Sequence, residues 1–176
     1  MKFLDDKSLI NLKKRTPVLY ITRAAIIAAM YVAITYAVQP IAFSAIQFRL
    51  SEVLTVLPFF MPEAIPGLFV GCVVSNLLSP HFVLLDIVIG GGATLVAAYL
   101  SYRCKNKWLV PLPPVLLNAV GVGLVISISA TDTQNFWLFY AWNALTVGIS
   151  QAVVCYGLGL PFIILLQKTL LSKRVG

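Results

Sequence analysis

The sequence predicts an all-α membrane protein of six transmembrane helices with both termini in the cytoplasm, and three observations predict it. Of 176 residues, 60% are hydrophobic and 11% charged, against roughly 45–50% and ~25% in ordinary soluble domains. With a mean hydropathy of +0.93, this excludes a water-soluble globule, and it excludes disorder, because disordered chains are poor in apolar residues. Second, Lys+Arg 13 against Asp+Glu 6 gives a net charge of +7. The bases fall in three short clusters flanking apolar runs, the pattern of membrane anchoring rather than of nucleic-acid binding. Third, Pro58, Pro62 and Pro66 punctuate one of the apolar runs, and proline tends to end a helix at the preceding residue.

Five apolar runs are visible, at residues 18–38, 53–78, 82–100, 108–129 and 136–166. The basic clusters are the N-terminal tail with Arg23, the loop Arg103, Lys105 and Lys107, and the C-terminal Lys168, Lys173 and Arg174. The positive-inside rule places all three in the cytoplasm, so an even number of crossings separates each from the next. Five crossings break that parity. A tight cytoplasmic turn at residues 61–66, with Glu63 at its tip, divides the proline-punctuated run and restores it. The expected helices are 22–38, 46–60, 64–78, 83–102, 114–128 and 137–168. The second and third span only ~22 Å each at ~1.5 Å per residue, so they tilt or are shielded by neighbours. The organisation is a basic tail at 1–17, a transmembrane domain at 18–168 and a second basic tail at 169–176. Because a polar stretch, residues 1–16, precedes the first apolar run and that run lacks an A-x-A site before a soluble domain, no cleaved signal peptide is expected.

Charged side chains inside a bilayer are costly, so intramembrane ionisable residues are functional candidates. With the helix directions fixed, the outward halves carry Tyr36 and Gln39 on helix one, Arg49 and Glu52 on two with Gln47 and Ser51 nearby, Asn76 on three, Asp86 on four, and Trp137, Tyr140 and Asn143 on six, with Asn118 and Gln151 nearer mid-depth. The inner halves are almost bare of polar side chains. This describes a substrate-binding site open to the outside. Each residue has a structural alternative. Arg49 and Glu52, at i and i+3, can pair at the lipid interface. Asp86 can answer a helix dipole. Asn76 and Asn118 can be interhelical hydrogen bonds, and Tyr140 can join an interfacial aromatic belt with Trp137 and Trp142. Asn143, Val147 and Gln151 share one helical face, which favours a lined cavity.

Absences narrow the class. There is no GxxxxGK[ST] loop, no HExxH, no clustered His/Cys set and no Ser/His/Asp arrangement, so neither ATP hydrolysis nor a metal or other cofactor is expected of this chain, and enzymatic activity is disfavoured. Cys72, Cys104 and Cys155 form no CxxC pair and read as structural. On helix one, Ala25, Ala29, Ala33 and Ala37 recur every fourth residue. Small residues at that spacing let another helix approach closely, either a partner's or one of the same bundle. Gly67, Gly71 and Ser75 form a similar stripe on helix three that suits internal packing.

The runs "IQFRLSEVLTVLPFFMPEAIPGLFVGC", "LLDIVIGGGATLVAAYLSYR", "LVPLPPVLLNAVGVGL" and "VGISQAVVCYGLGLPF" are similar to the QueT family, substrate-binding (S) components of energy-coupling factor (ECF) transporters. The resemblance covers about residues 24–167. It implies an S-component-like bundle in a bacterial cell membrane that captures a queuosine precursor outside. It also implies docking on an EcfT-like transmembrane subunit with two cytoplasmic ATPases, the family's alanine motif falling on Ala25, Ala29 and Ala33. A deazaguanine has a donor-rich edge that carboxylates and carboxamides suit. The residues themselves leave open thiamine or a plain purine as ligand, a stand-alone carrier or channel, and a scaffold whose polar groups are interhelical glue.

Overall fold

The computed structural model describes residues 17–42, 47–79, 84–130 and 135–175, with side chains as far as Thr169. The N-terminal basic tail as far as residue 16, His81, the first residues expected of helices two and four, Ile46 and Val83, and the side chains of Lys173 and Arg174 lie outside the described residues. Within them every regular element is helical.

Helix α1 (Pro17–Ala37) begins five residues before the expected start, with a proline in its first turn, where the missing N–H is not needed. A short turn, α2 (Gln39–Ala42), follows it. The segment expected as an α-helix over 46–60 is instead a 3-10 helix, Leu50–Phe59. Two local causes oppose the α form. Pro58 has no N–H to give to the carbonyl four residues back, and Thr55 Oγ1 donates to the Glu52 carbonyl at 2.6 Å. At ~2.0 Å per residue, ten residues extend ~20 Å, and residues three apart eclipse. Arg49, Glu52 and Thr55 therefore stand in one row.

The chain then turns at Phe60–Pro62, with the Met61 N–H donating to the Leu57 carbonyl at 3.0 Å. Helix α3 (Ala64–Leu77) follows, with Pro66 in its first turn. The turn lies where the prolines predict it, but its tip is not exposed. Glu63 is fully buried, and Arg23 on α1 donates to its Oε1 at 2.9 Å. Helices α1 and α3 approach closely. A methyl on Gly67 would lie 2.7 Å from the Ala24 carbonyl oxygen, and one on Gly71 2.8 Å from Tyr31 Cβ. The glycine stripe thus serves internal packing as expected. Ala24 and Ala28 face α3, while Ala25, Ala29, Ala33 and Ala37 are exposed on the outer side of α1.

A wide π turn, Asp86–Gly90, leads into α4 (Gly91–Arg103). After a 3-10 turn at Lys107–Leu109, α5 (Leu112–Ser129) opens on Pro113 and Pro114. It packs tightly on α6 (Phe136–Ala152), where Gly123 lies against Ala144 and Gly148 against Ala119. The last helix is longer than expected. It runs on through a π segment, Val153–Gly159, into α7 (Leu160–Val175). Pro161 cannot donate to the carbonyl of Gly157, and the widened turn lies just before it.

The 3-10 segment sits at the centre, touching α1, α3, α4, α7 and the Val153–Gly159 segment. Its Leu54 and Leu57 share a core with Ile27, Leu68, Cys72 and Ala98. Its Val56 packs with Val110, Leu160 and Ile163. Among the described residues, three helical stretches are long and apolar enough to cross a membrane: Pro17–Ala37, Lys107–Ser129 and Phe136–Thr169. Leu50–Phe59 and Ala64–Leu77 are apolar but shorter.

Candidate functional site

The polar groups of this apolar bundle gather around Glu52. The 3-10 segment holds that residue in its first turn at 1% exposure. Tyr31, at 0% exposure on α1, donates its hydroxyl to Glu52 Oε1 at 2.6 Å. One turn along α1, Thr35 Oγ1 lies 2.8 Å from the Tyr31 carbonyl and hydrogen-bonds Ser51 Oγ at 2.7 Å. Two adjacent side-chain bonds thus tie α1 to the start of the 3-10 segment. Glu52 Oε2 is buried with no hydrogen-bond partner among the described residues.

Arg49 precedes the 3-10 segment and is buried, with Tyr31, Cys72, Asp86 and Glu52 as its electrostatic neighbours. Its N–H donates to the Gln47 carbonyl at 2.9 Å across a sharp bend. Gln47, which opens that bend, has a φ of 49°, a left-handed conformation that costs a non-glycine residue about 1–3 kcal/mol. Its side chain is buried, and Oε1 has no partner among the described residues.

Asn76, near the end of α3, donates through Nδ2 to the Asp86 backbone carbonyl at 2.9 Å. This bond fixes the amide orientation, because only the nitrogen end can donate to a carbonyl. Oδ1 therefore faces away, buried and without a partner among the described residues, as is Asp86 Oδ1. Beneath them Cys72 Sγ receives Thr94 Oγ1 at 3.4 Å and lies 3.7 Å from Asn76 Nδ2.

Asn118, buried on α5, is a polar neighbour of the Glu52 carboxylate. Gln151, buried on α6, lies with its Oε1 3.7 Å from Cys155 Sγ, and that sulfur is 3.8 Å from the Glu52 carbonyl and 3.9 Å from Thr55 Oγ1. The structure thus brings Gln47, Arg49, Glu52, Asn76, Asp86, Asn118 and Gln151 into one buried cluster or its immediate border. Asn143 is buried on the same face of α6 as Gln151, two turns or ~12 Å along the axis. Its Nδ2 donates to the Phe139 carbonyl at 2.9 Å and lies 3.3 Å from Ser127 Oγ. Tyr140 is further out, half-buried, with its hydroxyl 3.5 Å from the Val120 carbonyl and its ring parallel to Phe136.

Tyr31, Thr35 and Thr55 join the cluster without having been expected there, Ser51 lies in it beside Arg49 and Glu52, and Cys72 and Cys155, expected only as structural residues, border it. A signal for the first two exists. Ile27, Tyr31 and Thr35 recur every fourth residue on the face of α1 opposite the exposed alanines, and all three are buried. The cluster presents hydrogen-bonding atoms that a small polar molecule would answer. Its unsatisfied atoms include carboxylate and carboxamide oxygens, and a buried polar atom without a partner is expensive unless something answers it.

The QueT transporter family model matches residues 21–168. The chain is also similar to the queuosine precursor transporter QueT of Lactococcus lactis subsp. cremoris (strain MG1363), at 39% identity over 85 residues. That match covers 47% of this chain and 49% of the relative, so it spans about half the relative's length. No solved structure matches the chain.

Proposed function

The chain belongs to the QueT transporter family, and from that premise we propose that it is the membrane substrate-binding subunit of an ATP-driven importer of the ECF type, capturing a 7-deazaguanine queuosine precursor at an outward-facing site. The observation that carries this reading is the buried polar cluster around Glu52 inside an otherwise apolar bundle. In this reading residues 18–168 cross the membrane six times, the basic tails 1–17 and 169–176 lie in the cytoplasm, and the turn at Glu63 faces inward. The mouth then lies at the start of the 3-10 segment, the end of α3 and the start of α4. Gln47, Arg49, Glu52, Asn76, Asp86, Asn118 and Gln151 form the floor and walls, with Asn143 and Tyr140 on the outer wall.

Transport energy comes from two cytoplasmic ATPases joined to an EcfT-like membrane subunit. That subunit docks on Ala25, Ala29 and Ala33. Their exposure supports the assignment, because Ala24 and Ala28 already supply the packing against α3. Calorimetric titration of the purified protein with 7-deazaguanines tests the ligand. Saturable binding is expected, and tight binding of an unrelated vitamin with no response to any deazaguanine removes the assignment. Uptake by proteoliposomes tests the coupling. Uptake is expected only with the membrane subunit, ATPases and ATP, whereas uptake by this chain alone on an ion gradient makes it a stand-alone carrier.

A further inference from the structure

We propose that Glu52 and Asn76 read a hydrogen-bond donor edge of the ligand and that Asp86 receives a cationic substituent, so that the site selects a planar amino-amide heterocycle bearing an alkylammonium group. This rests on the functional reading above and assigns the chemistry of its site. Glu52 Oε2, Asn76 Oδ1 and Asp86 Oδ1 are all buried and without a partner among the described residues, and all three are acceptors.

Their neighbours fix those roles. Tyr31 donates to Oε1 of the Glu52 carboxylate at 2.6 Å and Asn118 lies beside the same group, while Oε2 is the oxygen left for the ligand. Asn76 has committed Nδ2 to the Asp86 carbonyl at 2.9 Å, so it offers the ligand oxygen and not nitrogen. A heterocycle with a ring N–H next to an exocyclic amine presents the matching donors, and a ligand with only acceptors on that edge leaves these oxygens desolvated and unanswered.

Depth separates the two acids. Glu52 is 1% exposed, whereas Asp86 is half-buried at the start of the α4 rod. A flat ring edge suits the enclosed carboxylate. A flexible ammonium arm, which keeps part of its hydration, suits the one nearer the surface. Charge agrees with this division, since Glu52 has Arg49 as an electrostatic neighbour and Asp86 shares that same cation. The two acids and one base leave room for one further positive charge.

The test compares ligands on one protein and then on two variants. The wild-type protein is titrated calorimetrically with 7-aminomethyl-7-deazaguanine, with 7-cyano-7-deazaguanine, and with the aminomethyl compound lacking its exocyclic 2-amino group. The aminomethyl form is expected to bind about tenfold or more tighter than the cyano form, and loss of the 2-amino group to weaken binding about 100-fold. Asp86→Asn is expected to bring the aminomethyl-to-cyano ratio close to one. Glu52→Gln is expected to reduce the penalty for the missing 2-amino group. Ratios are read within each protein, so a general loss of stability does not imitate the result. If wild type binds all three compounds alike, or both ratios survive the substitutions, the residue assignment is overturned while the deazaguanine reading stands. If no deazaguanine binds wild type, the functional reading falls and takes the assignment with it.

Discussion

The Tyr31 hydroxyl on α1 donates to Oε1 of Glu52 across 2.6 Å, both side chains being almost fully buried. Tyr31 lies on the helix that carries the exposed alanines, and Glu52 opens the central 3-10 segment. One hydrogen bond therefore joins the proposed docking helix to the proposed ligand carboxylate. Tyr31→Phe keeps the ring and removes the donor. It is expected to lower stability by about 1–3 kcal/mol, because Glu52 Oε1 is left buried without its donor, and to weaken deazaguanine binding as the carboxylate loses its orientation. Thermal unfolding and calorimetry measure the two effects.

Gly67→Ala is expected to destabilise the protein by about 1–3 kcal/mol, the usual cost of overpacking. Its new methyl meets a backbone oxygen of α1 at 2.7 Å, which cannot step aside as a flexible side chain would. Gly92→Ala on α4 is the control, since nothing lies within 4 Å of its added methyl. That variant should be neutral or slightly stabilising, because alanine favours the helix over glycine. Thermal unfolding in the same detergent compares the pair.

Ala29→Leu is expected to leave folding and ligand affinity unchanged, because Ala29 is exposed on the outer side of α1. It is expected to prevent co-purification with the EcfT-like subunit by forcing the helices apart. Ala28→Leu, against α3, should by contrast damage the isolated protein.

Removing Arg23 withdraws a cation from a fully buried carboxylate, although Arg23 itself is 42% exposed. Arg23→Gln is expected to cost about 1–2 kcal/mol, more than a typical exposed ion pair and less than a fully buried one. A double variant with Glu63→Gln should recover part of the loss. A double-mutant cycle of melting free energies reads the coupling.

Helices with a strong apolar run and a clear proline or basic boundary were legible in the sequence. Residues 64–78 and 114–128 were expected, and Ala64–Leu77 and Leu112–Ser129 are found. The 3-10 form of Leu50–Phe59 was not legible, because apolar composition is the same for either helix and the decision lies with Pro58 and the Thr55 side chain. Helical spacing located the buried face of Asn143 and Gln151 but not their depth, so it grouped a residue next to the Glu52 cluster with one two turns away. Tyr31 was hidden by a second pattern on the same helix. Its bond to Glu52 joins residues 21 apart in sequence, a tertiary contact that no local periodicity encodes. The burial of Glu63 has the same origin, since Arg23 is 40 residues away.

A crystal structure of the protein with a bound 7-deazaguanine tests the central claim most directly. The account predicts the ring among α1, the 3-10 segment, α3 and α4, donating to Glu52 Oε2 and Asn76 Oδ1. A ligand seated elsewhere, with both of those oxygens still lacking a partner, contradicts it.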